Sequence, residues 1–461
     1  MDYTIWLDQV HSDMLSSVGG KGLHLGEMIN LNLPVPDGFA ITTKAFEKLL
    51  EIANIKNSIK GLLQECDAEN TQQLLETSKS IKELILSQDM PMPIKSEIVE
   101  SYKQLSYSNQ VISEEVLKLI SAGRELALVA VRSSATAEDL PTASFAGQQA
   151  SFLNVKGIKD LIDAVKKCWA SLYEPRAIFY RAKQGVTDAS ISVVVQRMVL
   201  AVEKSGVMFT VNPVTGGDEI VIEATWGLGE MLVSGSIQPD QYRLTKEGGI
   251  LEKVIGKKER RKIRDYATDR TIEVSVPKDF VNSQVLAEEE MLRLVQYALK
   301  LEKFYKKPQD IEFAIDKNKI YIVQTRPVTT EAKVEEVKVA GKQILKGFGS
   351  SPGIATGKVK IINSMEDLTK VKEGDILVTK MTSPDMVVSM SKSAAIITDQ
   401  GGATAHASIV SRELGIPCIV GTQTATNTLK DGQLVTVDAY HGIIYQGEVA
   451  LPEAEEAVET V

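Results

Sequence analysis

Thr398-Asp399-Gln400-Gly401-Gly402-Ala403-Thr404-Ala405-His406-Ala407-Ser408-Ile409-Val410-Ser411-Arg412 is the stretch from which the organisation of the chain is read. The apolar run over 394–398 reads as a buried strand. Gly401-Gly402 mark a tight turn, and the helical pattern that follows ends at Gly415 and Pro417. Strand, glycine turn and helix in that order predict a β/α unit with His406 near the first helical turn. Unpaired N–H groups and the positive end of the helix dipole favour an anion there and disfavour imidazolium, so a neutral ring is expected. A neutral imidazole beside an anion site is a nucleophile suited to taking a phosphoryl group. A packed helix start without chemistry would use the same residues.

Around this stretch, strands are expected at 359–362, 376–379, 395–398, 418–420 and 434–438, with Thr382-Ser383-Pro384-Asp385 capping a helix at Met386. Upstream, 331–342 is charged and poorly patterned, which reads as a linker. The residues from 448 onward form an acidic tail.

Further upstream lie Gln309-Asp310-Ile311-Glu312-Phe313-Ala314-Ile315 and Ile320-Tyr321-Ile322-Val323-Gln324-Thr325-Arg326, preceded by an amphipathic helix carrying Leu292, Val295 and Leu299. Two alternating runs joined by a turn over 316–319 predict a hairpin. Alternation puts Asp310 with Glu312 on one face, and Gln324 with Arg326 on one face. Residue 312 opposite 324 brings all four together, but that register needs an odd connection or a bulge. Glu312 and the carbonyl of Gln324 are hard oxygen ligands suited to Mg²⁺, and Arg326 suits a transferring phosphoryl group. A surface hairpin with a salt bridge accounts for Asp310 and Arg326 alone.

Near the start, Ser17-Val18-Gly19-Gly20-Lys21-Gly22-Leu23-His24-Leu25-Gly26-Glu27-Met28 sets glycines and a lysine before a helix, a pattern that frees N–H groups for phosphate without the Walker A spacing. A polar periodic region over 43–118 reads as helices. The strand over 127–131 feeds Arg132-Ser133-Ser134-Ala135, where Arg132 either forks onto phosphate or pairs with Glu138 or Asp139. A helix is expected over 159–183 with Trp169, Leu172 and Tyr173 in the core, and a β-branched strand over 191–199. Trp226 reads as packing. His11, His24 and His441 show no partner that suggests chemistry, although His24 lies near Lys21.

The His406 segment, continuing as Glu413-Leu414-Gly415-Ile416-Pro417-Cys418-Ile419-Val420-Gly421, resembles the phosphohistidine segment of the PEP synthase and pyruvate phosphate dikinase family. The glycine–lysine segment, Arg132-Ser133-Ser134-Ala135 with Ser144-Phe145-Ala146-Gly147, Trp226-Gly227-Leu228-Gly229-Glu230, Gln238-Pro239-Asp240, the hairpin and Thr382–Asp385 also resemble family segments. The resemblance implies an α/β and α+β multidomain chain. An ATP-grasp-type domain would comprise lobes 1–190 and 191–330, followed by a linker over 331–342. A swivelling phosphohistidine domain over 343–447 and a tail over 448–461 complete it.

The resemblance further implies Lys21, Arg132, Asp310 and Arg326 around the ATP phosphates, with Mg²⁺ on Glu312 and Gln324. It places Gln196 and Met198 in the hinge that reads adenine, and a lid over 144–149. His406 would take the β-phosphoryl group by way of a pyrophosphoryl form, releasing AMP and phosphate. Thr404 matches a position that some relatives phosphorylate; a hydroxyl there also suits a helix cap.

The family's pyruvate-binding barrel has no counterpart in these 461 residues. The expectations are therefore a piece of a PEP synthase acting on pyruvate, a phosphocarrier subunit for a separate acceptor protein, or a stand-alone phosphotransferase like the rifampin enzymes. A non-catalytic ATP-sensing regulator is the alternative from another class.

An apolar share of 43%, a charged share of 25% and a net charge of −9 describe a globular chain with no call for nucleic acid. Three scattered cysteines, no apolar run near 18 residues and no basic-then-apolar start lead to a cytoplasmic expectation without membrane or structural zinc.

Overall fold

The computed structural model describes residues 3–107, 126–136, 139–140, 143–144, 150–185, 189–199, 202–213, 215–268, 270–328, 341–403 and 405–449. The chain is a mixed α/β, multidomain protein that divides into two compact units. The first comprises 1–211, 218–232 and 237–329; the second comprises 330–461 with the short segments 212–217 and 233–236.

In the first unit, strands β1 (Thr4–Trp6), β2 (Gly38–Ile41), β3 (Val129–Ala135), β4 (Ser151–Val155) and β5 (Ile191–Arg197) form an antiparallel sheet in the order β1-β2-β5-β3-β4. A second antiparallel sheet is built from β6 (Lys204–Phe209), β7 (Ile220–Trp226), β8 (Asp240–Leu244), β9 (Ile250–Val254), β12 (Gln309–Asp316) and β13 (Lys319–Pro327). Its order is β9-β8-β7-β6-β12-β13. Between them in sequence, β10 (Arg260–Arg264) and β11 (Thr271–Ser275) make a separate ribbon.

Helix α1 (Leu15–Asn30) serves both sheets, because its Leu25 and Met28 pack in one core with Val194 of β5, Met208 of β6 and Ile311 of β12. The helix is broken at Gly19, whose φ of 68° L residues rarely adopt and where a Cβ would lie 2.3 Å from the Ser134 carbonyl oxygen.

The remaining helices correct several expectations. The region expected as helix over 43–118 contains α2 (Thr43–Ile52), α3 (Lys56–Glu65), α4 (Thr71–Leu86) and α5 (Met92–Tyr107), and 108–118 lies outside the described residues. The helix expected over 159–183 is two, α6 (Ile158–Ala170) and α7 (Pro175–Gln184). Pro175 lacks the N–H that a helix interior needs and takes the first position of the second helix instead. Trp169, Leu172 and Tyr173 are buried, as expected of core residues.

Strand β3 runs through Ala135, so Arg132 lies in mid-strand rather than at a strand end. Strand β5, expected to open a second lobe at 191, is the central strand of the first sheet, paired on both edges by β2 and β3. On α8 (Glu288–Tyr305) the buried stripe is Met291, Leu294, Val295, Ala298 and Leu301. Leu292 is exposed and Leu299 is only partly buried, because the face that meets the sheet lies one residue before the expected stripe.

An unanticipated ion pair lies in this unit. Lys258 and Asp240 are both fully buried and in contact. The carboxylate also accepts the Gly256 and Val285 N–H groups at 3.0 and 2.8 Å and the Tyr242 hydroxyl at 2.9 Å. Every lone pair is therefore engaged, and the pair ties the excursion that carries β10 and β11 back to β8. Burial, reinforced by the adjacent Asp240, raises the Tyr242 phenol above its ordinary range, so it stays a donor.

The second unit holds an eight-stranded mixed sheet. Its strands are β14 (Gln343–Lys346), β15 (Phe348–Ser351), β16 (Ile354–Ile362), β17 (Ile376–Thr379), β18 (Ala395–Thr398), β19 (Cys418–Val420), β20 (Leu434–Asp438) and β21 (Ile443–Gln446). The order is β14-β21-β20-β16-β17-β18-β19-β15, with β16 through β19 mutually parallel and the outer pairs antiparallel. Two helices fill crossovers in the parallel part, α9 (Val387–Lys392) and α10 (His406–Leu414). The core joins Val359, Ile376, Val378, Ala395, Ile397 and Ile419. Strands β14, β15 and β21 were not expected from the sequence. Of the expected linker over 331–342, residues 331–340 lie outside the described residues, and so do residues 450–461 of the expected tail over 448–461. No helix among the described residues is long and apolar enough to cross a membrane.

Lys258→Met leaves the Asp240 charge buried without its cation and should destabilise the first unit by about 3–5 kcal/mol. The check is the urea unfolding midpoint, of which Lys258→Met with Asp240→Asn should recover part.

Candidate active site

In the first unit the site is built on the β12–β13 hairpin. Its turn residues, Lys317 and Asn318, have φ of 48° and 67°, as a two-residue turn between right-twisted strands requires. Next to the turn, Ile315 pairs with Ile320 and Phe313 with Ile322, and these side chains enter the core. Further along, Glu312 pairs with Gln324 and Asp310 with Arg326. One extra residue, Val323, separates the two registers. Without it, strict alternation would put Gln324 and Arg326 on the same face as Ile320 and Ile322. The bulge turns them to the other face, where they join Asp310 and Glu312.

Within this quartet Asp310 holds Arg326. Nε of Arg326 donates to Oδ2 of Asp310 at 2.8 Å, and Nη2 lies 2.7 Å from the same oxygen. Glu312 and Gln324 are half-buried and have no side-chain hydrogen bond among the described residues. No group of three or more His, Cys, Asp or Glu suited to a metal occurs among the described residues. A carboxylate with one amide oxygen nevertheless fits Mg²⁺, which keeps waters and takes its other ligands from substrate phosphates.

The other residues expected around a nucleotide divide into those near the hairpin and those used by the fold. Nη1 of Arg132 donates to the carbonyl of Val323, the bulge residue, at 3.1 Å, while its buried Nε has no partner among the described residues. Of the two alternative partners, Glu138 lies outside the described residues, and the side chain of Asp139 is not described. Lys21 is buried on α1, two residues past the Gly19 break. Its charge acts on Cys168 of α6, partly opposing the burial that pushes that thiol far above its ordinary range.

The N–H of Gly22, expected to be free for phosphate, instead donates to Ser134 Oγ at 3.1 Å. Ser134 in turn donates to the Val18 carbonyl, so this serine bridges the helix break. Gln196 is buried in β5 and donates from Nε2 to the Pro36 carbonyl at 3.3 Å. The N–H of Met198 goes to the Leu128 carbonyl at 2.9 Å. Backbone readout at this point therefore has the Met198 N–H already engaged. Most of the expected lid, 145–149, lies outside the described residues. Trp226 packs edge-on against Phe280 and donates to its carbonyl.

In the second unit β17 and β18 are parallel neighbours, so the loops after them lie side by side at the carboxyl ends of the strands, the usual place for ligands in parallel sheets. The loop after β18 leads through Gly401, at φ of 127°, to His406, the first residue of α10. The loop after β17 supplies Thr382, whose Oγ1 lies 2.7 Å from Nδ1 of His406. Thr382 was expected as a cap; the residue before α9 is instead Met386, which makes no side-chain cap.

The loop before His406 is held from its own helix. Ser408 donates to the Gly402 carbonyl, and Arg412 donates to the carbonyls of Ala403 and Ser350 at 2.7 and 2.9 Å. Ala405 occupies the position before the helix and cannot cap it through its side chain; Thr404 lies outside the described residues. His441 contacts the buried Asp438 at 2.7 Å, a partner that was not anticipated. Thr382 was read only as part of a capping segment and Arg412 was assigned no role; Thr382 lies in the loop after β17 and Arg412 in the last turn of α10, and only the sheet order brings them to the His406 loop.

Two family models match the chain. The family model for the pyruvate phosphate dikinase AMP/ATP-binding domain matches residues 15–345, and that for the PEP-utilising enzyme mobile domain matches 371–442. A probable phosphoenolpyruvate synthase of Archaeoglobus fulgidus is 48% identical over 464 residues, covering 98% of this chain and 59% of its own length. One from Methanothermobacter thermautotrophicus is 44% identical, with 100% and 66% covered. The phosphoenolpyruvate synthase of Pyrococcus furiosus is 46% identical, with 96% and 58% covered. The chain thus spans roughly three fifths to two thirds of the length of these relatives.

Thr382→Val removes the hydroxyl that lies 2.7 Å from the His406 Nδ1 and should redistribute the imidazole between its tautomers. The check is the pair of ¹⁵N ring shifts of His406, which should move in the variant while those of His441 do not.

Proposed function

Because the chain belongs to the phosphoenolpyruvate synthase and pyruvate phosphate dikinase family, we propose that it charges His406 from ATP in an AMP-forming dikinase half-reaction. The supporting observation is the placing of His406 at a helix start with Nδ1 against Thr382, which orients the ring; in this reading Nε2 is the attacking nitrogen. Nε2 bonds to the β-phosphorus as the bond from that phosphorus to the α,β-bridging oxygen breaks, and AMP departs with the oxygen. Water then takes the terminal phosphoryl group as inorganic phosphate, and phosphohistidine remains. A plain ATP-grasp ligase would make ADP and would need no such histidine.

Nucleotide binding falls to the first unit, an ATP-grasp-type domain in this reading, with one lobe on the sheet that includes β5 and the other on the sheet that begins with β6. Lys21, Arg132 and Arg326 neutralise phosphate oxygens, and Asp310 fixes the guanidinium of Arg326 in one orientation. Gln196 and Met198 lie in the segment that meets adenine. Glu312 and Gln324 would hold Mg²⁺, which offsets charge on the phosphates when bound. A linker over 331–342 lets the domain over 343–447 swivel and deliver the phosphoryl group. Pyruvate is the proposed acceptor, in keeping with the names of the relatives.

The test incubates the protein with ATP and Mg²⁺ and resolves products by ³¹P NMR. AMP and phosphate are expected from the wild type and none from His406→Ala. Glu312→Gln should slow AMP formation by roughly a hundredfold, as loss of a preorganised electrostatic group does. ADP as the product would overturn the proposal.

A further inference from the structure

Strand β13 is the edge of its sheet, paired only with β12, so its outer backbone groups need partners from elsewhere. They find them on α1, in the segment that follows it and in β3. The Ile322 N–H donates to the Pro34 carbonyl at 2.9 Å. Arg132 takes the Val323 carbonyl, and Nδ1 of His24 lies 3.0 Å from the Thr325 carbonyl. A carbonyl only accepts, so Nδ1 of His24 carries the hydrogen. The two side-chain contacts fall on either side of Gln324, and the second is next to Arg326.

His24 is held as firmly as it holds. It is buried, and its ring meets that of Tyr305 edge to face with centroids 5.3 Å apart. The Tyr305 hydroxyl donates to Glu27 at 2.7 Å, so α1 and the end of α8 fix the imidazole between them. His24 also lies three residues after Lys21, on the same side of the helix.

We infer that His24 is a positioning residue for the ATP half-reaction: it fixes the stretch of β13 bearing Gln324 and Arg326 at a set distance from Lys21. The inference rests on the proposed function. A bulged edge strand has fewer ladder bonds to hold it, and a displacement of about 1 Å among phosphate-binding groups is enough to lower a rate by up to a hundredfold. The hydrogen bond from His24 substitutes for the missing neighbour strand at the point where the geometry matters.

The test compares the wild type with His24→Phe, which keeps the ring against Tyr305 but has no donor, and with His24→Asn, whose amide nitrogen falls near the place of Nδ1. Leu74→Ala, a core truncation in α4, controls for lost stability, and His24→Leu is the second donor-free variant should His24→Phe not fold. Two quantities are measured: hydrogen exchange in the peptide over 319–327, and the single-turnover rate of AMP formation as a function of ATP concentration.

The donor-free variant should exchange faster in that peptide and lose about tenfold in the single-turnover rate, with half-saturating ATP within about twofold, the effect of losing one hydrogen bond that positions the reacting groups. His24→Asn should stay within about threefold of wild type, and Leu74→Ala should change neither quantity. Wild-type exchange and a wild-type single-turnover rate in the donor-free variant, or equal losses in Leu74→Ala, would overturn the inference. A wild type that forms no AMP sinks the proposed function instead, and the exchange comparison then decides alone whether His24 anchors the strand.

Discussion

A single extra residue in an antiparallel ladder, Val323, is the constraint on which the first unit's chemistry depends. The two-residue turn at Lys317 and Asn318 fixes the pairing near the hairpin tip, and the core demands Ile320 and Ile322 on its side. Those two requirements alone would bury Gln324 and Arg326 as well. The bulge reverses the parity halfway along the strand, so that one hairpin packs a core at its tip and presents four polar groups at its base. It also leaves the strand locally short of ladder bonds. Arg132, His24 and Pro34 supply what is missing, and they come from the segments bearing the residues proposed to meet phosphate.

The second unit solves a different problem with topology. Parallel strands β17 and β18 place their following loops together, so Thr382 and His406 meet although 24 residues separate them. Short backbone contacts from Ser408 and Arg412 then hold the glycine-rich loop ahead of the histidine. His406, the proposed nucleophile, is the first residue of a helix, with Nδ1 against Thr382.

Much of this was legible in the sequence because it is written in local patterns. Strands β17, β18, β19 and β20 were expected with the bounds observed, being short apolar runs with clear breakers. His406 at a helix start followed from two glycines and a terminating Gly-Ile-Pro. The hairpin quartet was readable as a conditional: an odd connection or a bulge was needed, and sequence could not choose between them. What escaped notice depends on distant partners. The edge strands β14, β15 and β21 exist through their neighbours, the Lys258–Asp240 pair closes across an 18-residue excursion, and the hydroxyl of Thr382 was read as a local cap when its partner lies in the next crossover. The proline at 175 was legible and was passed over; the helix stripe was misplaced by one residue because Leu292 is as apolar as Met291.

The most direct measurement uses ATP labelled in its β-phosphate and follows acid-labile label to a proteolytic peptide containing His406. The account predicts label on that peptide in the wild type and none anywhere on His406→Ala. Label that is acid-stable, or that persists on His406→Ala, would contradict it.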